Sequence, residues 1–506
     1  MRIRLSLAAG LLALVAAAVA FESPESATWA ASGDVMFYLG TAETLAHGGG
    51  YRTPMGHWED PVADSLTITG HYPPGFVLAL AAPIALGVPP GISARLVRAA
   101  GFAATVALAT IIVAVVAGFP AGVLAGLFVL LSPFVVFVHT ILFSEPLFLP
   151  LVLVTVGLMT FYPDRPLLYG VAAGLSVGVR VIGIALTGAG MLWTFARPGT
   201  ARARIGRAAI VFAPSLIVEL AWLLFVRAHH GTDARAFGWY GPAMPLVRKL
   251  FGVTLWWFWP AEAHGAWTAV AKGAVLITFA ITSVVAWRRG DERERRLLAA
   301  AALIAIMYDA TYLIARLVVE WGNVFEIRNF SIVDALFAVI LAASLGRSWP
   351  ALPRGGRVAV GAVVAAWIAA ASWGSWTFLR DAARESRAFA YESRASALLA
   401  WVRADPNHRE IYTNWSAFVW RTTGRRTRDL PWLFDRDTVA ALGAAMARTH
   451  GVMIGFPAKT PEFQLHPWQI PQWASPDTIA ATLHLPVLVR GRDGIVWGPP
   501  PEAPER

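Results

Sequence analysis

Two carboxylates are placed where they could do chemistry. Asp34 follows the first apolar run and opens a segment with helically spaced apolar residues, Val35, Leu39, Ala42 and Leu45. Glu145 lies between Ser144 and Pro146, at a break in a long apolar block. A carboxylate at the edge of an apolar span is costly to bury, so it usually has a function or a partner. Each also has a plain structural reading: the helix dipole favours an acid in the first turn, and Pro146 suits a helix start beside Glu145. Four cations are expected on the same side as these acids, where positive charge is otherwise sparse: Arg180, Arg248, Lys249 and Arg328. They can hold a lipid phosphate through charge-assisted hydrogen bonds, or merely snorkel or pair with Glu320 or Glu326. Other chemistry has little support. His229, His230 and Asp233, or Glu262 and His264, match no metal-ligand spacing. Gly48-Gly49-Gly50-Tyr51 lacks the lysine of a nucleotide-phosphate loop. The chain has no cysteine, which excludes disulfides and thiolate metal sites.

The elements that must position these groups are membrane spans. The 506 residues are 57% hydrophobic with a mean hydropathy of +0.55. Only 15% are charged, against about 25% in soluble domains. The apolar residues gather in blocks of about 20, the length of a span. The net charge of +10 does not point to nucleic acid, because the arginines lie mainly in short loops between apolar blocks, as the positive-inside rule requires. Arg2 and Arg4 precede the run Leu5 to Phe21, read as an uncleaved first helix rather than a signal peptide ending at Ala18-Val19-Ala20. Residues 22–72, with seven acids and one arginine, form an external loop whose 34–46 stretch is an interfacial helix capped by Ser32.

Pro73 to Val88 is expected to run inward, with Arg95 and Arg98 at a cytoplasmic turn. Gly118-Phe119-Pro120 is then an outside turn, Ser132-Pro133 an inside turn and Ser144-Glu145-Pro146 an outside turn. Arg197 to Arg207, Arg288 to Arg296 and Arg347 to Arg357 mark the inside thereafter. The fold expected is an α-helical polytopic membrane protein with about 13 spans over residues 1–378. From residue 379 the composition changes. Glu410 to Thr413 and Val452 to Phe456 read as strands, Val487 to Trp497 as a hairpin, and Thr438 to Thr449 as a helix. Residues 379–506 are thus a small C-terminal α/β domain outside the membrane, in which Arg421, Arg425, Arg426 and Arg428 form a solvated or headgroup-facing patch.

The order of motifs resembles the GT-C glycosyltransferases, in particular the bacterial branch related to protein O-mannosyltransferases and to the lipid A aminoarabinose transferase. The residues that carry this are Ser32-Gly33-Asp34 with Tyr38, then Gly49-Gly50-Tyr51, His71-Tyr72-Pro73-Pro74-Gly75-Phe76, Ser144-Glu145-Pro146-Leu147-Phe148, Arg180, and Glu326-Ile327-Arg328-Asn329-Phe330. In the last of these Asn329-Phe330 replaces the usual Arg-Tyr pairing. The resemblance covers roughly residues 1–378 and implies a hexosyl- or pentosyltransferase of the cell (inner) membrane. Such an enzyme moves a sugar, with inversion, from a polyprenyl-phosphate donor to a glycan, glycolipid or protein acceptor on the extracytoplasmic face. It implies Asp34 as general base, its proton affinity raised in a partly dry cleft. Arg180 and Arg328, with Arg248 and Lys249 behind them, would hold the donor phosphate. Glu145 would orient the acceptor, assist Asp34 or share a metal with it, and Tyr38, Tyr51, His71 and Tyr72 would line the substrate cleft. No resident cofactor is implied, and a divalent cation is left open because some relatives use one and others do not. The rival reading is a transporter or lipid flippase, which often shows internal repeats and ionisable groups at mid-membrane. No repeat is visible here, and the notable acids lie at one face. A non-catalytic membrane scaffold is the third reading.

Overall fold

Proline sets where many of the apolar helices begin. In a computed structural model, which describes residues 2–24, 33–56, 68, 72–229, 238–239, 243–260, 266–318, 327–431, 434–456 and 475–500, Pro74–Ala85, Pro90–Ala117, Phe119–Leu131, Pro133–Thr140, Glu145–Phe161 and Pro166–Val179 each carry a proline in the first turn. Its missing N–H has no helical partner there anyway, and its fixed φ suits the helix. Among the described residues seven helices are long and apolar enough to cross a membrane, or eight if the bent pair around Ser132 counts as one span. Four apolar helices are shorter: Pro74–Ala85, Glu145–Phe161, Pro166–Val179 and Val181–Phe195.

The bundle has two chemically distinct ends. At one, Arg197 donates to Asp164 at 2.6 Å, and Arg347 donates through Nε to the Arg289 carbonyl at 2.9 Å while lying 3.4 Å from Glu294. Val116 and Ala117 line the same recess as Arg289, Glu294 and Arg347. Gly118 therefore belongs to the arginine end and not to an outside turn. Arg98, expected at a cytoplasmic turn, is buried at the opposite end, where it donates to the Thr140 carbonyl. One turn on, Gly101 abuts the Pro146 carbonyl. The helix Pro90–Ala117 thus crosses in the direction opposite to the expected one. Arg98 misled because its guanidinium serves an internal carbonyl at a helix end, not the headgroups. Pro74–Ala85 does not cross: it leads into Pro90–Ala117, whose Arg98 and Gly101 stand at the Thr140 and Pro146 end, and Ser93 ties back to its Leu80 carbonyl at 2.7 Å. Phe119–Leu131 and Pro133–Thr140 form one path bent by 58°, not two crossings. Ser132 at the bend donates to Asp334 at 3.1 Å. These two changes cancel in parity, so the described segments from Ser144 onward keep their expected ends.

A six-stranded sheet stands at the end opposite the arginines. Its strands are β1 (Met55–Gly56), β2 (Ile411–Thr413), β3 (Thr427–Asp429), β4 (Val452–Gly455), β5 (Val487–Arg490) and β6 (Ile495–Trp497), in the order β1-β3-β2-β4-β6-β5. The first four in that order pair in parallel, and the β5–β6 hairpin adds antiparallel to β4. Alternation puts Tyr412 and Met453 in one core, with Leu442 and Met446, and Ile411 and Ile454 in the other, with Leu398 and Val419. β1 comes from the first loop, so the sheet is not confined to the C-terminal residues. The helix Arg354–Ala395 runs 42 residues, straight through the boundary drawn at 378.

Candidate active site

Asp34 lies on a helical segment that changes pitch. Gly33–Val35 is α, Met36–Gly40 is a π turn, and Thr41–Ala46 returns to α. Such single π turns recur at functional positions. Both carboxylate oxygens of Asp34 are held: Tyr72 donates its hydroxyl to Oδ1, and Arg328 forms an ion pair with Oδ2. Tyr72 is fixed in turn by stacking on Phe37 at 4.5 Å, by an edge contact with Tyr38 at 5.0 Å, and by the Tyr51 hydroxyl, which donates to its carbonyl at 2.8 Å. Tyr51 is therefore a brace for Tyr72. The Arg328 guanidinium also lies over the Phe143 ring, 4.1 Å from its centroid.

A second acid–arginine pair stands beside the first. Glu145 is fully buried and pairs with Arg180. Arg180 also donates to the Ser144 hydroxyl at 3.3 Å and to the side-chain amide oxygen of Asn329 at 3.1 Å. Tyr38 donates to the same Ser144 oxygen at 3.1 Å, and Asn329 donates to the Tyr312 hydroxyl at 2.7 Å. Close helix contacts set this geometry. Gly170 and Gly174, four residues apart, face the helix Ala201–Ala228, where a Cβ would stand 2.9 Å from Val211 and from Pro214. Small residues at this spacing let two backbones meet, and the helix they anchor ends at Arg180. Gly75, in the Tyr-Pro-Pro-Gly motif, meets the Gly178 carbonyl, 2.7 Å from where its Cβ would be. Tyr72 and Arg180 are thereby fixed against each other.

The electrostatics correct one expectation. Burial alone raises the proton affinity of Asp34, but the Arg328 guanidinium, with help from the Tyr72 hydroxyl, more than offsets it and holds the carboxyl below the usual carboxylate range. The raised affinity expected from the sequence took burial into account and not the arginine. Burial, and next the Asp34 charge, push the Tyr72 phenol well above its ordinary value, so it stays a donor. Among the described residues no three His, Asp or Glu side chains converge. Asp34 and Glu145 are a poor donor set for a divalent cation, because each already faces a guanidinium.

Arg248 and Lys249 are not brought to Asp34. They lie exposed on the amphipathic helix Ala243–Thr254, and the charge that acts on Lys249 is Arg316. His71, Ser32, Glu320, Glu326, His230, Asp233, Glu262 and His264 lie outside the described residues. Sequence reasoning missed the linking roles of Phe143, Ser144, Asn329 and Tyr312. The available signal was a polar residue directly beside Glu145 and Arg328 at the start of apolar helices.

No protein-family description matches the sequence, and no curated protein matches it either. Solved structures do match the fold. ArnT from Cupriavidus metallidurans in the apo state aligns with a TM-score of 0.59 and 13% identity, over 96% of this chain and 97% of that one. The same protein bound to undecaprenyl phosphate aligns with a TM-score of 0.56 and 13% identity, over 98% of this chain and 97% of that one. The chain thus has, from end to end, the fold of ArnT, the GT-C fold to which its ordered motifs point.

Proposed function

We propose that the protein is an integral membrane glycosyltransferase that moves a sugar from a polyprenyl-phosphate donor to an extracytoplasmic acceptor, with inversion. The observation that carries this reading is the convergence of Asp34, Arg328 and Arg180 at one end of the bundle. Asp34 keeps 22% of its side chain exposed, so an acceptor can approach it. The fold shared with ArnT, which binds undecaprenyl phosphate, supports the donor class.

In this mechanism the acceptor oxygen or nitrogen attacks the anomeric carbon from the face opposite the phosphate. The bond from that carbon to the phosphate oxygen breaks, and polyprenyl phosphate leaves with the electron pair. Asp34 takes the acceptor's proton. Arg328 and Arg180 supply positive charge where the leaving phosphate develops its negative charge. Glu145, buried behind Arg180, positions that guanidinium and does not meet the acceptor. The acceptor is a glycan, glycolipid or protein, and the sheet stands beside the site on the extracytoplasmic side.

Asp34→Asn tests the reading. In membranes supplied with undecaprenyl-phosphate-linked hexoses and pentoses, its rate of labelled sugar transfer should fall by about 10²- to 10⁴-fold, the usual contribution of a general base. The protein should still insert at the wild-type level. Undiminished transfer by this variant would remove Asp34 from the mechanism.

A further inference from the structure

The sheet is joined to the element that holds Asp34. β1 pairs in parallel with β3, Met55 beside Thr427 and Gly56 beside Arg428. Immediately before β1, the ring of Pro54 is seated against Gly40, the last residue of the π turn. A Cβ on Gly40 would stand 2.5 Å from Pro54 Cγ and 3.1 Å from Trp420 Cζ2. No side chain fits there without moving the turn or the strand. Trp420 lies on the helix Ser416–Thr423, which leads through Gly424 into β3. Only 8% of it is exposed, and it belongs to the same buried cluster as Tyr38, Leu39 and Ala42 of the Asp34 segment.

The groups that Asp34 and Tyr38 must reach lie on other segments: Arg328 before the helix Ser331–Ser348, and Ser144 before the helix Glu145–Phe161. Hydrogen bonds, including the charge-assisted one between Arg328 and Asp34, are lost when donor and acceptor move a few tenths of an ångström beyond contact. The seating of the π turn therefore decides whether both contacts are made. The seat is a rigid proline ring and an indole, and both are fixed by the sheet.

We propose that the six-stranded sheet is a positioning part of the active site: through Pro54 and Trp420, packed on Gly40, it sets the distance between Asp34 and Arg328. This rests on the reading of Asp34 as the base. Pro54 and Trp420 touch no reacting atom in this scheme. They act through the turn that carries Asp34 and Tyr38.

The test uses the full chain in membranes. The measurement is the pH dependence of carbodiimide labelling at Asp34, located by mass spectrometry, because carbodiimide reacts with the protonated carboxyl. Gly40→Ala should loosen the Asp34–Arg328 pair and raise the labelling midpoint by about one pH unit, the lower end of what an adjacent opposite charge contributes. Trp420→Ala should move it in the same direction, and Trp420→Phe should restore the wild-type midpoint. A seat that only stabilises the fold would change the melting temperature and leave the midpoint where it was. An unchanged midpoint in Trp420→Ala overturns the proposal even if Gly40→Ala fails to fold. Binding of undecaprenyl phosphate to the wild-type protein is measured alongside. Its absence would count against the transferase reading, while a shifted midpoint would still establish the positioning role.

Discussion

Arg328 neutralises Asp34 and caps the Phe143 ring with the same guanidinium. Replacing it separates its two effects. Arg328→Gln should weaken binding of the donor phosphate, and it should also raise the proton affinity of Asp34, because burial is then opposed only by the Tyr72 hydroxyl and the Arg180 charge. The sign follows from the direction of the shift. Asp34 has a depressed pKa in the folded protein, so its stabilising pairing is complete above the ordinary aspartate value of about 3.9 and is lost as pH falls through the lower folded value. The acid limb of kcat/KM for the wild type should therefore lie below about pH 4, and in Arg328→Gln it should move upward. A limb that stays in place would mean that Asp34 is not the group titrating. At this scale the sequence was informative about which charges meet. Asp34, Glu145, Arg180 and Arg328 all stand out at the edges of apolar blocks. Which acid takes which arginine was not legible, because the partners come from helices far apart in the chain. The same ignorance of partners reversed the expected direction of the Asp34 shift.

Helix contacts, more than loops, hold the site in register. The run Gly170, Gly174, Gly178 gives one face of Pro166–Val179 to Ala201–Ala228, and Gly178 also receives Gly75 from the Tyr-Pro-Pro-Gly motif. Gly75→Val should drive a branched side chain into the Gly178 carbonyl. Overpacking of this kind costs about 1–3 kcal/mol, and the displaced helix end carries Arg180. The expected result is a lower melting temperature together with weaker undecaprenyl phosphate binding. Gly91→Ala is the control, because a Cβ there meets nothing within 4 Å, and it should match the wild type in both measurements. Equal behaviour of the two variants would show that the Gly75 contact does not position Arg180. The existence of these elements was largely readable. The interfacial helix expected over 34–46 is found at 33–46, and strands occur at 411–413, 452–455, 487–490 and 495–497. The π turn inside the first of these was not readable, because apolar periodicity does not distinguish a turn of one extra residue.

On the scale of the whole molecule, the arginine clusters separate the two ends of the bundle, and Arg95 with Arg98 is the place where that rule failed. A basic pair before a long apolar run reads as a cytoplasmic turn, yet Arg98 is spent on the Thr140 carbonyl inside the protein. The consequence can be measured, because the chain has no cysteine and any introduced thiol is read without background. Leu86, 86% exposed, lies between Pro74–Ala85 and Pro90–Ala117. Leu86→Cys should react with an impermeant maleimide from the same side as Arg492→Cys beside the sheet. Phe119→Cys, next to the recess of Arg289 and Arg347, should react only from the other side, together with Asp164→Cys. Labelling of Leu86→Cys with Asp164→Cys would return Pro74–Ala85 to a full crossing. It would also carry the start of Pro90–Ala117 to the arginine end, and the contacts of Arg98 with the Thr140 carbonyl and of Gly101 with the Pro146 carbonyl could not then form. The side on which one thiol reacts therefore tests the topology together with the packing beside Glu145.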